Sequence, residues 1–265
     1  MATDAESRSA LQLFIWLPFG SHFCLMNKTI HLYDLENGSY QPVWDLQRTV
    51  QEKLIEEKRA ESKGTFDGAR KNDALLFVEH LHVYTLGKSG AEENMLRSML
   101  ELQKLSAEFV KIDRGGDITY HGPGQIVGYP IMDLDRHFTD IHKYLRFLEE
   151  VLIKVCADYG LEAGRIAGLT GVWIGEEKIA ALGIRSSRWV TMHGFAFNVN
   201  TDLSYFGHIV PCGISDKAVT SLQAQLGKEI DQNEVKERIV THFEEVFDVT
   251  ILRSGGTQEL EQYFS

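Results

Sequence analysis

The sequence predicts one mixed α/β domain, an α+β arrangement rather than a regular βαβ array. Three observations carry this. Short apolar runs that read as buried strands are interspersed with stretches whose apolar residues recur at helical spacing, without regular βαβ alternation. The 265 residues are 43% hydrophobic and 25% charged, the profile of a folded globular chain. A chain of this length buries roughly three-quarters of its unfolded surface, so it needs no disulfide or metal staple.

Residues 1–25 read as an appended leader. Its apolar stretch, Leu11 to Phe19, ends in Pro18-Phe19 and falls short of the roughly 18 apolar residues a membrane span requires. Asp4, Glu6 and Arg8 precede it and no small-residue cleavage site follows, unlike a signal peptide. Translation is expected to start at Met26, before a strand-like Thr29–Tyr33. Val43, Leu46, Val50 and Leu54 mark a helix. The charged stretch Glu56 to Asp73, with Gly64 and Gly68, reads as a mobile connection. Ala74–His80 and Val83–Leu86 read as buried strands, and Phe109–Asp113 and Gln125–Met132 as further strands.

Ile141, Tyr144, Leu145, Leu148, Val151, Leu152 and Val155 mark an amphipathic helix that stops near Gly160. Gly171–Ile174 and Lys178–Arg185 flank Gly175-Glu176-Glu177 as a hairpin, and His193–Val199 is strand-like. Asp231 with Glu234 resembles a capping box for a helix carrying Val235, Ile239, Phe243 and Val246. Val249–Leu252 closes the sheet. The domain is thus drawn at 26–252, with 253–265 as a C-terminal tail.

The charge excludes some partners. Lys and Arg total 27 against 38 Asp and Glu, a net charge of −11. That argues against a nucleic-acid binder and against an anionic membrane surface. Three cysteines at wide spacing, Cys24, Cys156 and Cys212, form no disulfide framework and point to reduced thiols in a cytoplasm. Cys156 sits on the amphipathic helix as a packing residue. Cys212 sits in a turn, Pro211-Cys212-Gly213, and is the best nucleophile candidate.

The densest chemistry lies in Arg114-Gly115-Gly116-Asp117-Ile118-Thr119-Tyr120-His121-Gly122-Pro123-Gly124-Gln125. Its glycines allow positive φ and close approach of backbone to a ligand, and successive N–H groups can bind a carbonyl or an anion. It matches neither a P-loop nor a dinucleotide fingerprint; an ordinary glycine-rich turn is the competing reading. Lys178 opens an apolar strand, where an edge lysine is the ordinary alternative. Gly194 and Ala196 share a strand face and leave a gap that could take an acyl chain or merely a neighbouring strand.

These residues resemble the lipoyl(octanoyl) transferase family. The likeness is carried by Arg114–Gln125 with Ile126-Val127-Gly128-Tyr129-Pro130, by Glu79-His80 with Val83–Lys88, and by Lys178–Arg188, Met192–Asp202 and Pro211-Cys212-Gly213. It runs from about residue 27 to 250. It implies a single domain like the catalytic part of biotin and lipoate protein ligases. It implies transfer of an octanoyl group from octanoyl-acyl carrier protein to a lysine of a lipoyl domain. The acceptors implied are the lipoyl domains of 2-oxoacid dehydrogenase complexes and the glycine cleavage H protein. It further implies Cys212 as acyl-thioester nucleophile and Lys178 as its partner. Arg114, Gly115, Gly116, Asp117, Ile118, Thr119, Tyr120 and His121 would line the acyl site, with Ala181, Leu182 and Gly183 and with Gly194, Phe195 and Ala196.

The residue types suit that reaction. A thiolate attacking a thioester makes another thioester, a nearly balanced step, and the following amide formation runs downhill. Free cysteine titrates at about 8.5, so an adjacent ammonium favours the thiolate. An apolar setting such as Ile179, Ala180 and Ala181 would let the lysine later accept a proton from the attacking amine. Two alternatives use related parts. An ATP-dependent lipoate or biotin ligase needs no acyl cysteine, and an amidotransferase between lipoyl domains differs only in its donor. A non-catalytic carrier-binding domain would not need Lys178 and Cys212.

His80 with His82, and His137 with His142, are not completed by cysteines or carboxylates at metal-site spacing, so neither a metal nor a cofactor is expected. His121 is expected to shape the pocket or hydrogen-bond the loop, or to serve as a second proton carrier. Between Lys104 and His193 the count is 11 basic against 12 acidic residues, so the acidity lies mostly elsewhere. Lys143, Arg146, Arg165, Arg185 and Arg188 are candidates for docking acidic carrier proteins, or else ordinary solvated charges.

Overall fold

β2 (Asp73–His80) shows how the layers are built. Ala74, Leu76 and Val78 enter one apolar cluster, while Leu75 and Phe77 enter another. This is the period-two alternation of a strand buried on both faces, which is why the run looks uniformly apolar. The computed structural model describes residues 28–210 and 218–265.

β2 lies within an eight-stranded mixed sheet. β1 (Thr29–Gly38) pairs parallel with β2 and with β11 (Thr250–Gly255). On its other side β2 pairs antiparallel with β6 (Gln125–Ile131), which pairs with β10 (Val190–Asn198). β9 (Glu177–Ser187), β8 (Val172–Ile174) and β7 (Ala163–Gly164) complete the order antiparallel. A second sheet orders β4 (Glu108–Lys111), β3 (Val83–Leu86) and β5 (Ile118–His121).

Helices cover both faces of the large sheet. On one side lie α3 (Ile141–Asp158) and α5 (Gln232–Phe247), with Leu148, Val151, Leu152, Val155, Ile239 and Phe243 in the core. On the other lie α1 (Tyr40–Ser62) and α6 (Thr257–Phe264). α2 (Met99–Lys104) and α4 (Leu222–Leu226) are short. α3 ends in a Schellman arrangement: Gly160 takes φ +72°, its N–H donates to Ala157 O, and Leu161 N–H donates to Cys156 O.

Several expectations need correction. Glu56 to Ser62 is the last part of α1, not a connection. Its residues are mostly exposed but are strong helix formers, so charge did not signal a loop. β4 stops at Lys111, which leaves Asp113 outside the strand. Asp231 caps α5 through the Asn233 N–H, while Glu234 pairs with Arg238 rather than closing a box. Residues 253–265 complete β11 and form α6, whose Leu260 and Phe264 are buried. The leader, 1–25, lies outside the described residues.

Candidate active site

The glycine-rich segment is fastened to two sheets. Residues 114–117 lie against the end of β3: Lys88 N–H donates to Arg114 O, Gly87 N–H to Asp117 O, and Ser89 N–H to Gly116 O. Gly115 N–H donates to Ile184 O of β9 at 2.9 Å. The Arg114 guanidinium, largely buried, donates to the Thr85 carbonyl at 2.9 Å and to the Gly115 carbonyl at 3.0 Å. A Cβ at Gly87 would overlap the Gly116 carbonyl, so that glycine sets the close approach.

The segment is not loop throughout. Its centre is β5, paired residue by residue with β3. Strand alternation puts Tyr120, with Ile118, on the face opposite Thr119 and His121. The Tyr120 hydroxyl meets His82 Nδ1 at 2.7 Å and its ring stacks on Tyr205. It braces the 3₁₀ helix Leu203–His208 and, contrary to expectation, is not among the residues that line the cavity where the others meet.

The remaining described residues of the expected site meet at one cavity of about 540 Å³: residues 114–119, His121, Lys178, 181–183 and 194–196. That volume lies in the range of small-molecule sites, roughly 300–1,000 Å³. Its floor is the β9–β10 ribbon, where Gly183 pairs with Gly194 and Ala181 with Ala196, so four small side chains share a face. Of the two readings of the gap at Gly194, the structure selects the second, a neighbouring strand. A Cβ there would overlap the Gly128 carbonyl of β6, so the neighbouring strand fills it. At Gly183 a Cβ would come within 2.9 Å of Gly115 O and 3.1 Å of Arg114 Cδ.

Lys178 lies at one end of this floor. The two-residue turn Gly175-Glu176, with Gly175 at φ +56°, sets Trp173 opposite Lys178. Lys178 Nζ sits 4.7 Å from the centroid of the Trp173 ring. Its backbone N–H donates to Ala218 O at 2.9 Å, and its carbonyl accepts from Thr220 N–H at 3.0 Å. Cys212 lies outside the described residues, which resume at Ala218.

A buried polar ladder links the signature to Lys178. His121 Nδ1–H donates to Gln125 Oε1, Gln125 Nε2 to Asn198 Oδ1, and Asn198 Nδ2 to the Thr220 carbonyl, at 2.8, 2.9 and 3.0 Å. Burial, with His80 nearby, holds His121 well below the usual imidazole range, so it is neutral. This is the expected bond within the segment. His80 is also neutral, pushed down to about 4 by burial. It donates from Nδ1 to Gly38 O and accepts at Nε2 from the Tyr129 hydroxyl.

Some cavity residues were not named as site residues from the sequence, although Gln125, Tyr129 and Asn198 lie within the motifs that carry the resemblance. Trp173, Gln125, Asn198, Tyr40 and Tyr129 line the cavity. The hairpin turn could have placed Trp173 opposite Lys178. His193 donates from Nε2 to Asp113 Oδ1 at 2.9 Å, across 80 residues, and no local signal announces that pair. Asp113 also pairs with Arg185, and its carboxyl is held below the usual range, chiefly by the His193 hydrogen bond.

The loop over the Lys178 end hangs on Glu149, a fully buried carboxylate of α3. Its Oε2 accepts from Arg146 at 2.7 Å and Arg165 at 2.8 Å, and its Oε1 from Gly171 N–H at 3.0 Å. Gly168, Leu169 and Thr170, between those anchors, line the cavity. Arg146, Arg165 and Arg185 are therefore engaged in ion pairs, and Lys143 lies over Phe138 and Phe147. Cys156 is buried in the core with its thiol pushed up to about 12 by burial. Among the described residues, no group of three or more His, Cys, Asp or Glu could hold a metal, and no helix is long and apolar enough to cross a membrane.

The lipoyl protein ligase A/B catalytic domain family matches residues 40–244. An octanoyltransferase of Flavobacterium johnsoniae is 54% identical over 233 residues, covering 86% of this chain and 100% of that protein. An octanoyltransferase of Solibacter usitatus is 54% identical over 180 residues, 68% of this chain and 81% of that protein. Among solved structures, a bi-partite lipoate protein ligase of Thermoplasma acidophilum shares the fold at a TM-score of 0.65 and 16% identity, covering 90% of this chain and 91% of that one. A lipoate-protein ligase A bound with ATP also gives 0.65 at 16% identity, covering 88% and 92%.

Proposed function

The chain belongs to the lipoyl protein ligase A/B catalytic domain family, and from that premise we propose that it moves an octanoyl group from octanoyl-acyl carrier protein to a lipoyl-domain lysine. It is an acyltransferase enzyme, and its octanoyltransferase relatives support octanoyl transfer in lipoylation. One observation of its own carries the reading. Lys178, the glycine-rich segment and the small-residue face of β9–β10 open on a single cavity.

Cys212 Sγ, as thiolate, attacks the octanoyl carbonyl. The bond to the carrier thiol breaks, and that thiol leaves with a proton from the Lys178 ammonium, which becomes an amine. The acceptor lysine amine then attacks the new thioester, the bond to Cys212 breaks, and an amide remains. Lys178 acts twice. As an ammonium it favours the Cys212 thiolate; as an amine it takes the proton released by the attacking nucleophile. Backbone N–H groups near the thioester stabilise the tetrahedral oxyanion. The acceptors are the lipoyl domains of 2-oxoacid dehydrogenase complexes and the glycine cleavage H protein, and the setting is the cytoplasm.

The test is transfer from octanoyl-acyl carrier protein to a lipoyl domain without ATP, followed by intact-mass spectrometry. An octanoyl adduct that disappears in Cys212→Ser supports the reading. Transfer that requires free octanoate and ATP makes the enzyme a ligase. Preference for an octanoylated lipoyl domain as donor makes it an amidotransferase.

A further inference from the structure

Three buried polar atoms near one another have no hydrogen-bond partner among the described residues: Trp44 Nε1, Gln47 Nε2 and His193 Nδ1. Trp44 and Gln47 lie one turn apart on α1. Gln47 Oε1 accepts from the His193 backbone N–H at 3.0 Å, and the Trp44 and His193 ring centroids are 6.4 Å apart. Gln47 is 0% exposed and His193 1%. His193 adopts φ +61°, a conformation held for a β10 residue only against steric resistance.

The three atoms are chemically complementary. Trp44 Nε1 and Gln47 Nε2 can only donate. His193 commits its proton on Nε2 to Asp113, so Nδ1 offers a lone pair. Two donors and one acceptor match one water, which accepts twice and donates once. The place matters as well. His193 pairs with Ile184, six residues along β9 from Lys178, roughly 20 Å at about 3.3 Å per residue. Both His193 and Lys178 line the cavity, so it extends from the proposed reacting end to this polar corner.

We propose that Trp44, Gln47 and His193 hold one buried water at the far end of the acyl channel, and that this water limits the length of acyl chain transferred. The inference rests on the octanoyl-transfer reading above. An acyl chain that stops short leaves the water in place. A longer chain ending in a methyl group must displace it and leave three buried groups unpaired. A long chain ending in a hydroxyl can take over the water's hydrogen bonds.

The experiment compares carrier-bound octanoyl, hexadecanoyl and 16-hydroxyhexadecanoyl donors with the wild-type enzyme and with Trp44→Phe/Gln47→Leu. The wild type is expected to favour octanoyl over hexadecanoyl at least tenfold in kcat/KM, and 16-hydroxyhexadecanoyl is expected to recover much of that loss. In the double variant the octanoyl-to-hexadecanoyl ratio should shrink about tenfold and the advantage of the hydroxyl should vanish. Because the readout is a ratio within each protein, a general loss of activity cancels. An unchanged ratio overturns the inference. Absence of any octanoyl transfer by the wild type overturns the functional reading instead. A crystal structure of the wild-type enzyme tests the site without a variant. A water within hydrogen-bond distance of all three atoms is expected, and its absence sinks the proposal even if the double variant does not fold.

Discussion

Trp173 and Lys178 face each other across the β8–β9 hairpin, with the Lys178 ammonium 4.7 Å from the centroid of the indole ring. Such a contact is worth about 0.5–2 kcal/mol, more when shielded from water, and Trp173 is almost fully buried. The ring face thus restrains the group proposed to activate Cys212. Trp173→Leu is expected to lower kcat for octanoyl transfer about tenfold, with little change in KM. It should also shift the pH profile of thiol alkylation upward, while Trp173→Phe keeps most of both. Wild-type rate and profile in the leucine variant would remove Trp173 from this role.

The glycine-rich segment is seated on β9 through a glycine that is not its own. A Cβ at Gly183 would meet the Gly115 carbonyl, a backbone atom that cannot swing aside, and Arg114 Cδ. Gly183→Ala should therefore displace residues 114–116 by several tenths of an ångström. Transfer is expected to fall tenfold or more with a stability loss of about 1–3 kcal/mol. Gly164→Ala, where a Cβ meets nothing within 4 Å, serves as control and should leave transfer unchanged. Equal activities of the two variants would contradict the argument.

What the sequence made legible follows from where the physics is local. α3 announces itself because seven apolar residues recur at helical spacing and Gly160 ends them. β2 and β3 do so because each holds a short run rich in apolar residues, Ala74–Val78 and Val83–Leu86. β5 stays hidden because four residues enclosed by glycines are too few to set a strand apart from a loop, so the direction of Tyr120 could not be read. Asp113 and His193 meet across two sheets, a contact that depends on tertiary registry. The two readings of the gap at Gly194, acyl chain or neighbouring strand, stayed open for the same reason, since only the position of β6 shows which one fills it.

Glu149 holds the loop that carries Gly168–Thr170. Its carboxylate is buried, while its partners Arg146 and Arg165 keep 46% and 32% side-chain exposure, so solvent offsets part of the loss when the charge is removed. Breaking a fully buried pair costs about 3–5 kcal/mol. With half-solvated arginines, Glu149→Gln should lose about 2 kcal/mol, a fall of roughly 4–8 °C in Tm for a chain of this size. The loop should slacken, so KM for the acyl donor should rise more than kcat falls. An unaltered Tm in differential scanning calorimetry would deny Glu149 its anchoring part.

Burial of His80 makes stability depend on pH. Its Nδ1–H is committed to Gly38 O and its Nε2 accepts from Tyr129, so a second proton would leave the hydroxyl without its acceptor. The unfolded chain binds that proton near 6.5, the folded chain only near 4. Between those values the unfolded state holds more protons, so stability rises with pH. The contribution is complete above about 6.5 and is lost as pH falls toward 4, on the order of 3 kcal/mol in all. Neutral His121 acts in the same direction. Carboxylate protonation acts on the wild type and on His80→Gln alike, so the difference between them isolates the imidazole. Urea unfolding at pH 7 and pH 5 should show the wild type losing about 2 kcal/mol more than the glutamine variant. Identical losses would mean that the folded protein accepts the proton at His80 as readily as the unfolded chain does.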